Sequence, residues 1–284
     1  MNIDNPTLII GGDSVVGRYL RDENPDYFYT SRKENCEAIY FDLLQLDSFN
    51  IVEAAVIEHN INTVIILASI TSIKQCELQP ELTLLVNVQR TKLLLEKVNK
   101  LGCFVVFIST NHVFDCKSAY SVWDGIKLPC SNYGQQKLQV ENYIVENNFN
   151  ASIIRPSKII HRPYSLIESM IESLNKKQVF NAFNDHYFAP ISIQFFSTLL
   201  KLIIQNKKKG IFQISGKSDL SYYVFLRMLA SKLDLNSSLI TPVSALSKGV
   251  TPNKYGTLEA YNPLSNTLLY QSIEDTINDY CQEN

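Results

Sequence analysis

The chain has 284 residues, with 26 lysines and arginines against 28 aspartates and glutamates and a formal net charge of −2. That balance excludes a general attraction to nucleic acid or to a membrane surface, and 45% hydrophobic residues suit a globular chain with a sizeable core. Length allows one large domain or one and a half. No apolar run reaches the ~18 residues of a membrane span. Met1 to Pro6 lacks a signal-peptide pattern, so a cytoplasmic protein is expected. Cys36, Cys76, Cys103, Cys116, Cys130 and Cys281 are scattered without a CxxC pair and read as reduced thiols, not as a disulfide or zinc framework. Lys207-Lys208-Lys209 reads as a solvated helix end.

In chain order, Thr7-Leu8-Ile9-Ile10 predicts a short buried strand that runs into Gly11-Gly12-Asp13-Ser14-Val15-Val16-Gly17 and a helix start. Strand, glycine turn and helix together aim backbone N–H groups at a diphosphate. The fingerprint positions are Gly11, Ser14 and Gly17, with Ser14 standing where the phosphate approaches the backbone most closely. Its side chain can be tolerated there or can donate to phosphate. Tyr27 to Thr30 is a second strand, followed by Ser31-Arg32-Lys33 in place of an acid that would hold the ribose. Arg32 suits a 2′-phosphate and favours NADP(H) over NAD(H), against the plain alternative of a solvated basic loop.

Ala38 to Leu43 predicts a third strand, with Asp47-Ser48 capping the next helix. Thr63 to Ser69 is an unbroken apolar strand, as in a sheet covered on both faces. A long buried helix is expected from about Glu81 to Lys100, ended by Gly102, and then a strand Cys103 to Ile108 carrying Ser109-Thr110 at its C-terminal edge. A helix beginning near Tyr133 runs to about Glu146, and Ala151 to Arg155 is a strand stopped by Pro156. This alternation predicts an α/β fold of the Rossmann type, a doubly wound parallel sheet. After Pro156 the rhythm changes. Helices near Leu166–Leu174, Gln194–Gln205 and Tyr222–Leu233, with short strands such as Gly210–Ile214, suggest a smaller α+β lobe that completes a cleft. The expected division is residues 1–156 for a dinucleotide and 157–284 mainly for substrate, with interleaving of the two allowed.

Tyr133 and Lys137 lie four apart on one helix face. A neighbouring ammonium would lower the phenol from its reference pKa of about 10 and make it a usable proton donor. The Thr110 hydroxyl can hold the same substrate oxygen. The spacing also arises by chance on amphipathic helices, so the rest of the chain must support it.

With these pieces in place, the chain resembles the extended short-chain dehydrogenase/reductases, and more narrowly the branch of dTDP-4-dehydrorhamnose reductase and the regulatory β subunit of methionine adenosyltransferase. The resemblance covers nearly the whole chain. It is carried above all by Ile108-Ser109-Thr110-Asn111-His112-Val113-Phe114-Asp115 and Asn132-Tyr133-Gly134-Gln135-Gln136-Lys137-Leu138, with support from Leu67-Ala68-Ser69, Val86-Asn87-Val88, Arg155-Pro156 and Gly210 to Gly216. It implies Thr110, Tyr133 and Lys137 as catalytic residues, with Tyr133 and Lys137 also touching the cofactor. It implies Gly11, Ser14, Val15, Val16 and Gly17 at the diphosphate, and Ser31 and Arg32 at the 2′-phosphate. Asp42 and Leu43 fall at the adenine, Ala68 and Ser69 at the nicotinamide ribose, and Asn87 at a buried structural position. No metal is implied. Four departures stand out: Ser14 for a glycine, Asn111-His112 for the Asp-Tyr of the reductases, Thr251-Pro252 for an Arg-Pro pair, and the altered loop with Trp123-Asp124 and Cys130.

The resemblance implies an NADP-dependent reductase of a nucleotide-activated 4-keto sugar, with the nucleotide sugar as partner and a homodimer compatible with the chain. Two alternatives stay open. One is a nucleotide-sugar epimerase that retains NAD(P). The other is a non-catalytic, NADP-binding regulatory subunit.

Overall fold

The computed structural model describes residues 5–33, 37–261 and 270–283. Cys36 and the first four residues of the leader reading lie outside them. In chain order the strands are β1 (Thr7–Ile10), β2 (Phe28–Ser31), β3 (Ile39–Tyr40), β4 (Thr63–Ile66), β5 (Phe104–Ile108), β6 (Ala151–Pro156), β7 (Lys158–Ile160), β8 (Phe180–Phe183), β9 (Tyr187–Phe188), β10 (Pro190–Ser192), β11 (Gly210–Gly216), β12 (Leu220–Ser221), β13 (Ile240–Val243) and β14 (Tyr270–Gln271). The helices are α1 (Val15–Glu23), α2 (Ser48–Glu58), α3 (Ile73–Leu78), α4 (Pro80–Leu84), α5 (Thr91–Lys100), α6 (Asn132–Glu146), α7 (Ser165–Asn175), α8 (Ile193–Asn206), α9 (Tyr222–Lys232) and α10 (Ile273–Gln282).

Eight strands form one parallel sheet in the order β14-β11-β6-β5-β4-β1-β2-β3. The order reverses between β1 and β4, where a dinucleotide crevice opens in doubly wound sheets. Strands β1, β4 and β5 are apolar and almost wholly buried because helices cover both faces. One face packs Leu8, Ile10, Val64, Ile66, Val105 and Phe107 against α2, α5 and α6. The other packs Ile9, Ile65, Val106 and Ile154 against Phe196, Leu200 and Ile203 of α8. The alternation of Leu8/Ile10 with Ile9 between the two clusters is the period-two geometry of a strand. A third cluster joins α7, α9 and α10 through Ile167, Met170, Phe225, Leu229 and Ile277.

Four elements differ from expectation. The strand expected over 38–43 pairs only at Ile39–Tyr40, because the chain turns at Asp42, whose Oδ1 accepts from the Leu44 amide at 2.9 Å. Asp47 does not cap α2 with its side chain; Ser48 instead donates to the carbonyls of Asp42 and Gln45 at 2.8 and 2.6 Å. The long helix of 81–100 is interrupted by a π-helical segment at Leu85–Arg90, before α5. The strand expected over Gly210–Ile214 in the second lobe runs to Gly216, pairs in parallel with β6 from Gly210↔Ser152 to Ile214↔Pro156 and extends the central sheet. Outside the sheet, β7 pairs with β10, β8 with β13 and β9 with β12.

Candidate active site

At the end of β1 the chain turns sharply at Gly11, whose φ of +94° is strained for any residue with a side chain. A Cβ there would also stand 2.8 Å from the Ala68 amide nitrogen after β4. Ser14 follows in extended conformation as the N-cap of α1, its Oγ accepting from the Gly17 amide at 3.0 Å. That cap commits the oxygen's acceptor side and leaves the hydroxyl proton free to donate outward. The first-turn amides of Val15 and Val16 have no helix partner, as the geometry of a helix start requires. The loop is therefore a cradle of donors at a helix N-terminus, with a serine hydroxyl added where a glycine would have none.

At the next turn, the Ser31 hydroxyl donates to Oδ2 of Asp13 at 2.6 Å and accepts from the Lys33 amide at 2.9 Å. Arg32 and Lys33 are exposed. Asp13, which sequence reasoning did not single out, thus sits beside the basic loop. Asp42 is half-buried and Leu43 buried at the end of the adjoining strand. Ala68 and Ser69 are half-buried past β4. The buried Asn87 holds that segment in place: its Oδ1 accepts from the Ser69 hydroxyl at 3.0 Å and the Ile70 amide at 2.8 Å, while its Nδ2 donates to the Ile70 carbonyl and to Gln136 Oε1 at 2.9 and 2.8 Å. Asn87 lies within the π-helical segment, a distortion that often marks a functional site. One side chain thereby ties the β4 edge to α6.

Helix α6 starts behind Ser131, whose Oγ accepts from the Gly134 amide at 3.1 Å. Gly134 is needed for closeness: a Cβ there would lie 2.1 Å from the His112 carbonyl. This contact seats Tyr133 against the turn that follows β5. Tyr133, Lys137 and Thr110 are 8%, 4% and 7% exposed, so all three meet in a nearly dry space at the C-terminal edge of the sheet. Burial pushes the Tyr133 phenol well above its ordinary value, and the hydrogen bond with Thr110 only partly opposes this. Burial also pulls Lys137 down to about 8, with Glu141 one turn away pulling it back up. Lys137 Nζ donates to the Ile108 carbonyl at 2.9 Å and lies 4.8 Å from the Phe107 ring. The expectation that the ammonium lowers the phenol pKa is therefore not met: burial raises the phenol, Thr110 is what opposes it, and Lys137 spends a donor on the backbone.

Behind these residues lies a network that sequence reasoning missed. Ser109 donates to Glu141 Oε1 at 2.5 Å, and Glu141 binds Arg155 through Nε at 3.0 Å and Nη2 at 2.6 Å. Arg155 is 0% exposed and Glu141 2%. Arg155 also donates to the Trp123 carbonyl at 2.8 Å and to Gln213 at 3.2 Å, and Gln213 donates to the carbonyls of Ser121 and Glu259. Trp123 stacks on Tyr261 at 4.5 Å. The spacing of Lys137 and Glu141 was available in the sequence, but the partner on β6 was not.

Residues 5–271 match the family model described as the RmlD substrate binding domain. The chain belongs to that family. Within it, the chain is 29% identical over 189 residues to methionine adenosyltransferase 2 subunit beta of Xenopus laevis, covering 63% of this chain and 57% of that one. The match thus spans little more than half of that relative's length. It is 26% identical over 180 residues to dTDP-4-dehydrorhamnose reductase of Sinorhizobium fredii, covering 60% and 61%. In structure it resembles dTDP-4-dehydrorhamnose reductase of Bacillus anthracis, solved in complex with NADP, with a TM-score of 0.87 over 99% of both chains at 20% identity. At that identity the likeness is one of fold. No described helix of this family member is long and apolar enough to cross a membrane, and no described group of His, Cys, Asp and Glu could hold a metal ion.

Proposed function

We propose that this RmlD-family chain is an NADP-dependent reductase of a nucleotide-activated 4-keto sugar. The observation that carries the reading is the meeting of Thr110, Tyr133 and Lys137 in one dehydrated space, two strands along the sheet from a donor-lined helix N-terminus. Gly11, Ser14, Val15, Val16 and Gly17 would hold the diphosphate, Ser31 and Arg32 the 2′-phosphate, and Asp42 and Leu43 the adenine. Ala68, Ser69, Tyr133 and Lys137 would hold the nicotinamide ribose, with Asn87 fixing that wall. Residues 1–156 would carry the dinucleotide and 157–284 mainly the sugar nucleotide. When bound, NADPH supplies the hydride that reduces the carbonyl carbon.

The chain's own task is the proton and the geometry. The Tyr133 phenol keeps its proton firmly in this environment, which suits a group that must donate a hydrogen bond to a neutral carbonyl and release the proton only as the oxygen gains charge. Thr110 shares that oxygen. Lys137, with a pKa near 8, remains mostly protonated at neutral pH and supplies positive charge beside the developing alkoxide. Burial of all three excludes water and strengthens each interaction.

Tyr133→Phe removes one oxygen and preserves the ring's packing. The expected result is a fall in turnover of roughly 10²–10⁴ with NADPH affinity nearly unchanged, followed as NADPH oxidation across a panel of nucleotide-linked 4-keto sugars. A second reading has specific support in the match to methionine adenosyltransferase 2 subunit beta: a regulatory subunit that binds the dinucleotide without chemistry. Equal rates for native protein and Tyr133→Phe on every substrate would favour that reading and end the catalytic one.

A further inference from the structure

A set of basic side chains faces this site without a role in the proton transfer. The His112 ring stands edge-on to Tyr133, with centroids 6.2 Å apart. Lys158 begins β7 just past the end of β6, its amide donating to the Ala189 carbonyl at 3.1 Å and its ammonium 5.3 Å from the Tyr164 ring. The Tyr164 and Tyr222 hydroxyls interact. The Tyr222 ring lies 5.6 Å from His186, and the Tyr222 amide donates to the His186 carbonyl at 3.3 Å. Lys158, Tyr164, Tyr222 and His186 therefore form one continuous wall. His112, across from it, is close enough to be repelled by the charge of both Lys158 and His186.

In this wall the carboxylate that acts on His186 is its chain neighbour Asp185, and none is paired with Lys158 among the described residues. Nδ1 of His186 is buried with no hydrogen-bond partner, a costly state for a polar atom. The neighbouring Asp185 is engaged elsewhere, accepting from the Ser244 hydroxyl at 2.6 Å and the Ala245 amide at 2.7 Å. Asp219 is likewise turned to the Gly256 and Thr257 amides. A buried polar atom without a partner, beside an unpaired ammonium, indicates a ligand that brings the acceptor.

We infer that His112, Lys158 and His186 form a carboxylate subsite, so that the sugar reduced at Tyr133 carries an acid group two or three bonds from its reactive carbonyl. The inference rests on the proposed reductase reading for the position of that carbonyl. The contact between His112 and Tyr133 sets the reach: a substituent on an adjacent ring carbon spans it, whereas the diphosphate of a nucleotide sugar hangs from the far side of the ring. One negative charge is also what the groups can meet. Lys158 supplies an ammonium, and the histidines, lowered by burial first and by Lys158 beside them, supply N–H donors.

The test uses the full chain with NADP⁺ and proton NMR of the histidine C2–H signals. There are four histidines, and His59, stacked on Phe28 at 4.4 Å away from the site, serves as the internal control. D-glucuronate, D-glucose and inorganic phosphate are titrated at constant ionic strength. The expected result is that glucuronate alone moves the His112 and His186 signals and raises the His112 pKa by at least one unit, a tenfold gain in proton affinity, while His59 stays still. Lys158→Met should abolish the response and Lys158→Arg should retain it. Equal shifts with glucose or phosphate, or an undiminished response in a folded Lys158→Met protein, would overturn the inference. If no keto sugar is reduced yet the glucuronate response persists, the reductase reading fails and the anion subsite stands. If neutral keto sugars are turned over and glucuronate moves nothing, the reverse holds.

Discussion

Arg32 shows how much can rest on one side chain at an exposed turn. Its guanidinium makes no ion pair among the described residues, while the neighbouring carboxylate, Asp13, is bound by the Ser31 hydroxyl. Asp13 repels an added 2′-phosphate, so a preference for NADPH must come from Arg32 and Lys33. Arg32→Ala should therefore remove most of the preference for NADPH over NADH, by about 1.5–3 kcal/mol if the lost contact is a charge-assisted hydrogen bond. Titration of both cofactors into native and variant protein measures this, and equal dissociation constants in the native protein would contradict it. Ser14 shows the limit of reading such positions from sequence. Tolerance and phosphate donation looked like alternatives, but capping Gly17 uses the oxygen's acceptor side and leaves donation available. The placement of Tyr133 and Lys137 on one helix was legible as a spacing, but the direction of the phenol pKa was not, because burial depends on what covers the pair.

Helix α6 carries Tyr133, the proposed proton donor, and its position is fixed from three sides. Gly134 abuts the His112 carbonyl, Gln136 is bound by Asn87, and Glu141 by Arg155. The last is an ion pair with almost no solvent contact, in which each charge depends on the other. Arg155→Met strands the Glu141 carboxylate and also frees the Trp123 carbonyl and Gln213. It should cost about 3–5 kcal/mol in stability, whereas Arg155→Met with Glu141→Leu should recover much of that loss. Urea unfolding of native, single and double variants checks this, and a double variant no more stable than the single would refute the pairing argument. Local patterns gave these elements well: the apolar runs of β1, β4 and β5, the Gly11 turn, and the strand-edge position of Thr110. What stayed illegible was long-range. Nothing near Gly210 announces that it pairs with Ser152, and nothing in Leu85–Arg90 distinguishes a π-helical turn from the α-helix around it.

At the scale of the whole molecule, the buried basic groups make stability depend on acid. Burial lowers His112 to about 4 and also lowers His161 and His186, and for all three the charge of Lys158 adds to the effect. In the unfolded chain all three return to an ordinary value near 6.5. Between the two values the unfolded state binds more protons than the folded one, so stability falls as pH falls. The loss should begin as pH drops below about 6.5, grow toward about 4, and level off once His112 is protonated in both states. Carboxylates that are paired in the fold, such as Asp185 with its Ser244 and Ala245 partners, lose their contribution only at lower pH, because those partners hold it below the usual range. The two contributions can therefore be separated. Urea midpoints measured from pH 8 to pH 4 should decline through the histidine window in the native chain, and His112→Gln should flatten that decline throughout, down to its lower end near pH 4. The Lys137 amine acts at the other end. Its folded value near 8 against an ordinary 10.5 means that the cost of burying its charge is relieved as pH rises through that interval. Buried tyrosines such as Tyr133, raised well above 10, oppose that gain once unfolded phenols begin to ionise. A native midpoint that stays level between pH 6.5 and 4, or a His112→Gln curve that superimposes on the native one, would show that the imidazole is not buried as its packing against Tyr133 requires.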